Sequence, residues 1–212
     1  MYKYCLFDLD GTLTDPQEGI TNSIIYSLNK LGISEENREK LMAFIGPPLV
    51  DSYMKYYNFS KEKAEKALQY YREFFSETGI FQNRLYKGIK GVLKHLKSQG
   101  KTLAVASSKP QIFVKKITDR FGITKYFDFV GGATLDESRS YKKDVLEYVI
   151  KELNVKDRTK VVLIGDREQD VYGAKQAGID CVGVLYGYGD YKELSTANPT
   201  RLIKRIYELK GI

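Results

Sequence analysis

Two aspartates near the start of the chain, Asp8 and Asp10, have a spacing that suits a pair of cooperating carboxylates. They follow a short apolar run, Tyr4–Phe7, of the kind that forms a buried strand. Side chains two residues apart on an extended segment point the same way, so both carboxylates can face one cleft. One could then act as a nucleophile while the other transfers protons. Aspartate is also common in turns, and the pair alone leaves this plainer interpretation open.

The elements after residue 86 are expected to hold these carboxylates at the edge of a sheet. Apolar runs typical of strands alternate there with segments of helical periodicity. This alternation predicts parallel β-α-β units, in which helices cover both faces of the sheet. Ligands bind such open sheets at the carboxyl ends of the strands, which is where Asp8 and Asp10 fall. The sequence therefore predicts an α/β fold with a site at that edge.

The segment between residues 16 and 85 has a different pattern, because its apolar residues recur only at helical spacing. It is expected to be an all-helical insertion after the first strand. One of its helices is predicted over 35–44 with Ser34 as its N-cap, and another begins after Ser60. Beyond the insertion, strands are predicted over 102–106, 127–130, 161–164 and 181–185, and a final helix is predicted over 200–210.

The composition limits the class of protein. The chain has 212 residues, enough for one or two domains, and a formal charge of +7, which fits anionic small substrates or plain solubility. Its basic residues are spread out and form no aromatic-basic module, so no nucleic acid polymer is expected as a partner. No run approaches the roughly 18 apolar residues of a membrane span, and we expect a cytoplasmic protein without a membrane partner. Cys5 and Cys181 lie in apolar runs and are expected to be buried free thiols.

The nine residues from 7 to 15, Phe-Asp-Leu-Asp-Gly-Thr-Leu-Thr-Asp, resemble a known nucleophile motif. They are similar to the Asp-x-Asp-x-Thr motif of the haloacid dehalogenase-like superfamily, in the form typical of its phosphoglycolate phosphatase-like branch. Three further segments resemble the later motifs of this superfamily in the same order, so the resemblance extends over the whole chain. It implies a Rossmann-like core over 1–15 and 86–212, a parallel sheet flanked by helices, with an inserted helical cap domain over 16–85.

The resemblance implies roles for the first two motifs. Asp8 would attack phosphorus and form an aspartyl phosphate, while Asp10 would act as general acid and then as general base. Ser107 ends a predicted strand, as the Ser or Thr of the second motif does, and would bind the phosphoryl group. Ser108 and Lys109 occupy positions that are often Asn-Lys in close relatives, and they are expected to bind the substrate. A helix N-cap is the plainer role for this segment.

The third and fourth motifs imply the charges that phosphoryl transfer needs. Lys142 would pair with the nucleophile and the phosphate. It shares a helix face with Val145, whereas the adjacent Lys143 points elsewhere, so Lys142 is the favoured lysine. The run Gly-Asp-Arg-Glu-Gln-Asp over 165–170 resembles the fourth motif, Gly-Asp-x-x-x-Asp.

These motifs imply a bound Mg²⁺, a cation that prefers oxygen ligands and keeps several waters. The side chain of Asp8, the backbone carbonyl of Asp10 and the side chain of Asp166 would be its protein ligands. Thr12 and Asp170 are expected to lie behind these ligands, with Asp170 orienting the lysine of the third motif or a metal-bound water.

We therefore expect a Mg²⁺-dependent phosphatase whose partner is a small phosphorylated metabolite. Phosphoglycolate, a sugar phosphate and a nucleoside monophosphate all fit. A phosphomutase of the same superfamily and an inorganic pyrophosphatase stay open as alternatives. A dehalogenase fits less well, because its chemistry does not need an acid at Asp10 or a metal ligand at Asp166. A non-catalytic binding module is disfavoured, because every catalytic position is filled. No pattern in the chain indicates its oligomeric state.

Overall fold

The computed structural model describes residues 1–212, which divide into two compact units. One unit consists of Met1–Asp15 with Leu85–Ile212, and the other consists of Pro16–Arg84. The second crossing between the units falls one residue earlier than predicted, because Leu85 belongs to the first unit. That the first unit is a catalytic core and the second a cap stays a prediction.

Six of the eight strands form one parallel sheet in the first unit. The strands are β1 (Tyr4–Phe7), β2 (Thr14–Asp15), β3 (Arg84–Leu85), β4 (Thr102–Pro110), β5 (Phe129–Ala133), β6 (Val161–Gly165), β7 (Asp180–Val184) and β8 (Arg201–Ile203). The order across the six-stranded sheet is β5-β4-β1-β6-β7-β8, and every neighbouring pair is parallel. The short strands β2 and β3 lie where the chain crosses from one unit to the other.

Nine α-helices complete the architecture. They are α1 (Gln17–Lys30), α2 (Arg38–Met42), α3 (Leu49–Tyr57), α4 (Lys61–Glu77), α5 (Ile89–Ser98), α6 (Gln111–Arg120), α7 (Lys142–Glu152), α8 (Glu168–Gln176) and α9 (Tyr191–Ala197). The first four form the second unit, and the other five belong to the unit with the sheet. Strands therefore alternate with helices after residue 86, which confirms the predicted α/β fold.

The side chains of the central strands are buried on both faces of the sheet. In β1 the side chains of Cys5, Leu6 and Phe7 are fully buried, and so is the whole of β6. Helices cover the sheet, and α7 presents Val145 and Val149 to the same apolar cluster. Both cysteines of the chain are free and buried, as predicted. No helix combines the length and the apolar character that a membrane span requires.

The second unit is held by aromatic side chains between its helices. The rings of Phe44 and Tyr53 meet edge to face with centroids 5.2 Å apart, and the rings of Tyr53 and Phe59 stack at 6.0 Å. The Tyr53 hydroxyl is satisfied by a hydrogen bond with Ser27. Helix α4 begins after Ser60, whose hydroxyl accepts a hydrogen bond from the first turn, as predicted.

The helix predicted over 35–44 is wrong in its start and in its cap. Helix α2 begins only at Arg38, and its N-cap is Asn37 instead of Ser34. The Asn37 side chain accepts a hydrogen bond from the Lys40 N–H at 3.1 Å, which satisfies a donor of the first turn.

The helix predicted over 200–210 is also wrong. The chain forms the edge strand β8 there, in which Leu202 pairs with Gly183 of β7, and then a 3₁₀ helix over Ile206–Gly211. The pattern also missed α9, which begins after Asp190. The Asp190 carboxylate accepts a hydrogen bond from the Glu193 N–H at 2.7 Å and so caps this helix.

Candidate active site

Three neighbouring strands bring the predicted site residues to one edge of the sheet. Asp8 directly follows β1, Ser107 lies in β4, and Asp166 directly follows β6. Since β1 lies between β4 and β6, the polar groups at these strand ends converge. The carboxylates of Asp8, Asp166 and Asp170 are buried, with oxygens within 4.8 Å of one another.

Lys142 forms ion pairs with two of these carboxylates. Its ammonium lies 2.7 Å from Asp8 Oδ1 and 2.8 Å from Asp170 Oδ1, and it donates a third bond to the Ala106 carbonyl at 3.0 Å. Only 7% of this residue is exposed. Burial lowers the pKa of Lys142, but Asp170 and Asp8 outweigh it and raise that pKa above its usual value. The lysine is therefore a protonated bridge, while the adjacent Lys143 faces solvent, as the helix-face argument predicts.

Asp166 carries a buried charge that no cationic side chain neutralises. It is 0% exposed and forms no ion pair; Thr12 Oγ1 donates to its Oδ1 at 3.2 Å, and the Tyr188 N–H donates to its Oδ2 at 2.8 Å. Burial, together with the negative charges of Asp170 and Asp8, raises the pKa of Asp166 well above its usual range. Uncompensated carboxylates of this kind are stable only when protonated or when a cation binds them.

The donor set therefore fits a small divalent cation. Asp8 and Asp166 offer oxygens toward one another, and carboxylate oxygens are what hard cations prefer. Asp170 belongs to the same cluster, but one of its oxygens pairs with Lys142 and the other accepts the Arg167 N–H at 3.0 Å. Because both of its oxygens are engaged, Asp170 fits better as the group that orients Lys142 than as a ligand.

Asp10 is held by a second lysine. Lys109 Nζ lies 2.7 Å from Asp10 Oδ2, and both side chains are almost fully buried. The other oxygen, Oδ1, is buried and has no hydrogen-bond partner. Burial raises the pKa of Asp10, and the charge of Lys109 opposes that rise. Sequence reasoning assigned Lys109 to the substrate, whereas the structure places its ammonium on Asp10.

Ser107 and Ser108 differ in solvent exposure. Ser107 is buried, and its Oγ accepts a hydrogen bond from the Lys109 N–H at 3.3 Å. Its own hydroxyl proton is thus still available for a ligand oxygen. Ser108 is partly exposed at the next position of the strand.

A tight turn at Gly11 lets the first motif approach Asp166. Gly11 has a φ of +82°, a conformation that favours glycine. A Cβ atom at this position would lie 2.1 Å from Asp166 Oδ2. The backbone closes the turn with a bond from the Gly11 N–H to the Thr14 carbonyl at 2.7 Å. Glycine is therefore required here both by the conformation and by the space.

Tyrosines near the site were missed by sequence reasoning. The Tyr186 hydroxyl donates to the Thr12 carbonyl at 3.1 Å, and the Tyr188 hydroxyl donates to Asp15 Oδ1 at 2.5 Å. The rings of Tyr86 and Tyr186 meet edge to face at 5.5 Å. The signal that could have found two of them is the run Tyr-Gly-Tyr-Gly over 186–189, which follows a predicted strand as the other motifs do.

This arrangement has the parts of a phosphoryl-transfer site. A carboxylate, Asp8, is oriented by a cation, and a second carboxylate, Asp10, has one oxygen unoccupied. A buried hydroxyl, which can bind a phosphoryl oxygen, and a fixed ammonium, which can offset its charge, lie at the same edge of the sheet.

Comparison with known families agrees with this geometry. Residues 5–184 match the family described as haloacid dehalogenase-like hydrolase. A protein named 5′-nucleotidase from Pseudomonas aeruginosa is 39% identical over 211 residues, which cover 100% of this chain and 95% of that protein. Tyrosine-protein kinase PtkA from Mycobacterium tuberculosis is 38% identical over 184 residues, which cover 87% of this chain and 62% of that protein.

A solved structure supports the fold at higher identity. A protein described as a predicted phosphatase from Clostridium acetobutylicum superposes with a TM-score of 0.97 at 46% identity. The superposition covers 100% of this chain and 97% of the other. The similarity therefore includes both units.

Proposed function

Because this chain belongs to the haloacid dehalogenase-like hydrolase family and is a phosphatase, we propose that it hydrolyses a small phosphomonoester through Asp8. The observation that carries this proposal is the position of Lys142, between Asp8 and Asp170 at 2.7 and 2.8 Å. A buried cation held in this way stands ready to offset the charge of a phosphoryl group that approaches the carboxylate.

Asp8 is the proposed nucleophile. The Lys142 ammonium donates a hydrogen bond to Asp8 Oδ1, and this bond fixes the orientation of the Asp8 carboxylate. Attack on phosphorus in line with the leaving oxygen forms an aspartyl phosphate and breaks the bond to the alcohol. During this step the Ser107 hydroxyl would bind a phosphoryl oxygen, and the positive charge of Lys142 would offset the negative charge that develops there.

Asp10 is the proposed proton carrier. Its Oδ2 is occupied by Lys109, so its unpartnered Oδ1 is the atom that would hold the proton. In the first half of the reaction it would donate this proton to the leaving alkoxide. In the second half it would take a proton from the water that attacks the aspartyl phosphate.

Mg²⁺ is the proposed cofactor, held by the side chains of Asp8 and Asp166 and by the Asp10 carbonyl. When bound there, it would supply positive charge that offsets the repulsion between the carboxylates and a phosphate. Thr12 and the Tyr188 N–H hold Asp166 in place from behind.

A nucleoside 5′-monophosphate is the substrate that we propose first among small phosphomonoesters. The support is the Pseudomonas aeruginosa relative named 5′-nucleotidase, which is 39% identical over the whole of this chain. A panel of nucleoside monophosphates, phosphoglycolate, a hexose phosphate and pyrophosphate, each with Mg²⁺, tests this by phosphate release. A preference for phosphoglycolate or the hexose phosphate would overturn the substrate assignment and leave the reaction assignment intact. A preference for pyrophosphate, which is an anhydride and not an ester, would also overturn the proposed phosphomonoester class.

The reaction assignment is tested at the nucleophile. In Asp8→Asn we expect phosphate release to fall by at least about a thousandfold, because an amide does not attack phosphorus. Asp144→Asn makes the same chemical change at an exposed aspartate of α7 and should keep full activity. Circular dichroism checks that both variants fold. Turnover retained in a folded Asp8→Asn protein would refute the nucleophile.

A further inference from the structure

A second cavity lies away from the carboxylate cluster, in the same unit. Its volume is about 1030 Å³, and residues before or at the starts of β1, β4 and β8 line it. The carboxylates instead follow the ends of β1 and β6. Since each residue of a strand rises about 3.3 Å, the four residues of β1 alone separate the two edges by about 13 Å. The cavity is therefore distinct from the candidate active site.

The lining of this cavity is strongly positive. Lys3, Lys101, Arg201 and Lys210 all line it, and no aspartate or glutamate side chain does. None of these four cations forms an ion pair elsewhere in the protein. These four cations outnumber the one carboxylate among the lining residues, that of Ile212, and like charges that converge repel one another, so their arrangement favours a bound anion.

Lys101 is the most informative of the four residues. Only 5% of it is exposed, and the single hydrogen bond of its ammonium goes to the Tyr2 carbonyl at 2.8 Å. An ammonium has three N–H donors, so two remain for a ligand. A buried charge with only a neutral partner is costly, in contrast to Lys142, which two carboxylates neutralise.

We propose that this cavity is a second binding site, for a small molecule that carries a di- or triphosphate group. Several cations around one space match a ligand with several negative charges better than a single carboxylate. The Arg201 guanidinium can bind two oxygens of one phosphate, and the lysines add point charges around it. The cavity is large enough to admit a compact phosphorylated molecule.

Isothermal titration calorimetry with inorganic tripolyphosphate tests this site. The titration is carried out in EDTA on the full chain with Asp8→Asn, so that the probe is not hydrolysed. We expect binding of one tripolyphosphate per chain. The double variant Arg201→Gln/Lys210→Gln should weaken it by at least about tenfold, because it removes two phosphate contacts.

A matched control separates the site from overall charge. Lys115→Gln/Lys116→Gln removes two exposed cations of α6 that do not line the cavity, and it should leave the affinity unchanged. Lys101→Met should also weaken binding, because it removes a buried ammonium that lines the cavity. If Lys101→Met fails to fold, the double variant Arg201→Gln/Lys210→Gln still tests the site.

Several outcomes would overturn the proposal. One is the absence of tripolyphosphate binding to the Asp8→Asn chain. Another is an equal loss of affinity in the cavity variant and the α6 variant, which would indicate a general charge effect. A third is binding that survives the cavity variant and disappears with Lys142→Met, which would place the probe at the carboxylate cluster. Binding of heparin without tripolyphosphate would point to a polymeric partner instead.

Discussion

Lys109 Nζ lies 2.7 Å from Asp10 Oδ2, and this pair is buried beside a second lysine–aspartate pair, Lys142 with Asp8. Each pair serves one proposed role, since Lys142 directs the proposed nucleophile and Lys109 directs the proposed proton carrier. Both aspartates belong to the same short segment, so both lysines hold that segment in place.

Removing Lys109 should cost both stability and turnover. Lys109→Met leaves the Asp10 carboxylate buried without its cation, so we expect the free energy of unfolding to fall by about 3 kcal/mol. The turnover number should also fall, because Oδ1 of Asp10 is no longer directed. Urea unfolding and steady-state kinetics measure the two effects. The double variant Lys109→Met/Asp10→Asn should recover stability without activity, and equal losses in both variants would contradict the pairing.

The two adjacent lysines at the start of α7 should respond very differently. Lys142→Met removes the bridge between Asp8 and Asp170, so phosphate release should fall by at least about a hundredfold. Lys143→Met changes an exposed side chain and should leave the activity within about twofold. Measuring both by phosphate release decides which lysine serves the site. A larger loss in the Lys143 variant would reverse the assignment.

Gly11→Ala should abolish activity through a clash instead of through simple backbone strain. Its Cβ would lie 2.1 Å from Asp166 Oδ2, so the carboxylate must move. Gly178 is the matched control, because it has a φ of +66° with no atom near its Cβ position. Gly178→Ala should cost about 1 kcal/mol of stability and keep its activity. Similar kinetics for the two variants would show that the contact at Gly11 is unimportant.

Metal removal should stop the reaction reversibly. We expect EDTA to abolish phosphate release and excess Mg²⁺ to restore it, because the carboxylates of Asp8 and Asp166 then regain a counter-charge. Mg²⁺ at about a hundred times its dissociation constant should stabilise the fold by about 2.7 kcal/mol. Differential scanning calorimetry should show this rise in the wild-type protein and little of it in Asp166→Asn. Full activity in EDTA would refute the metal.

The cysteines should resist modification at pH 8. Burial raises the pKa of the Cys5 thiol to about 11, with the charge of Lys101 opposing it. Because the raised pKa favours the neutral thiol, only about one molecule in a thousand carries the reactive thiolate at pH 8. Reaction with a chromogenic disulfide reagent should therefore be slow for the folded chain and fast for two thiols in urea. Rapid reaction of the folded chain would show that the strand opens.

The strands that carry the site could be predicted from sequence because their signals are local. A short apolar run such as Val161–Ile164 is typical of a buried strand, and the polar residues that follow it mark the carboxyl end of that strand. The helix that bears Lys142 has strong apolar periodicity, so its inner face was also correctly predicted. The α/β architecture then follows from the order of these elements.

Two of the parts that sequence reasoning missed depend on partners that are distant in the chain, and a third depends on local competition. Leu202 joins a sheet because β7 offers an unpaired edge, which no local pattern reports. Lys109 binds Asp10 across 99 positions of the sequence, so its ammonium could not be assigned from its own surroundings. The capping of α2 by Asn37 was missed because several polar residues compete for that role over a short stretch.

The central place of β1 has a consequence for synthesis on the ribosome. This strand is translated before its two neighbours in the sheet, β4 and β6, which follow only after the whole of Pro16–Arg84. Until Val161–Gly165 leaves the exit tunnel, the apolar surface of β1 is not yet buried by its neighbouring strands. Pairing over such long separations in the chain is slow, so this surface stays exposed while the intervening residues are made.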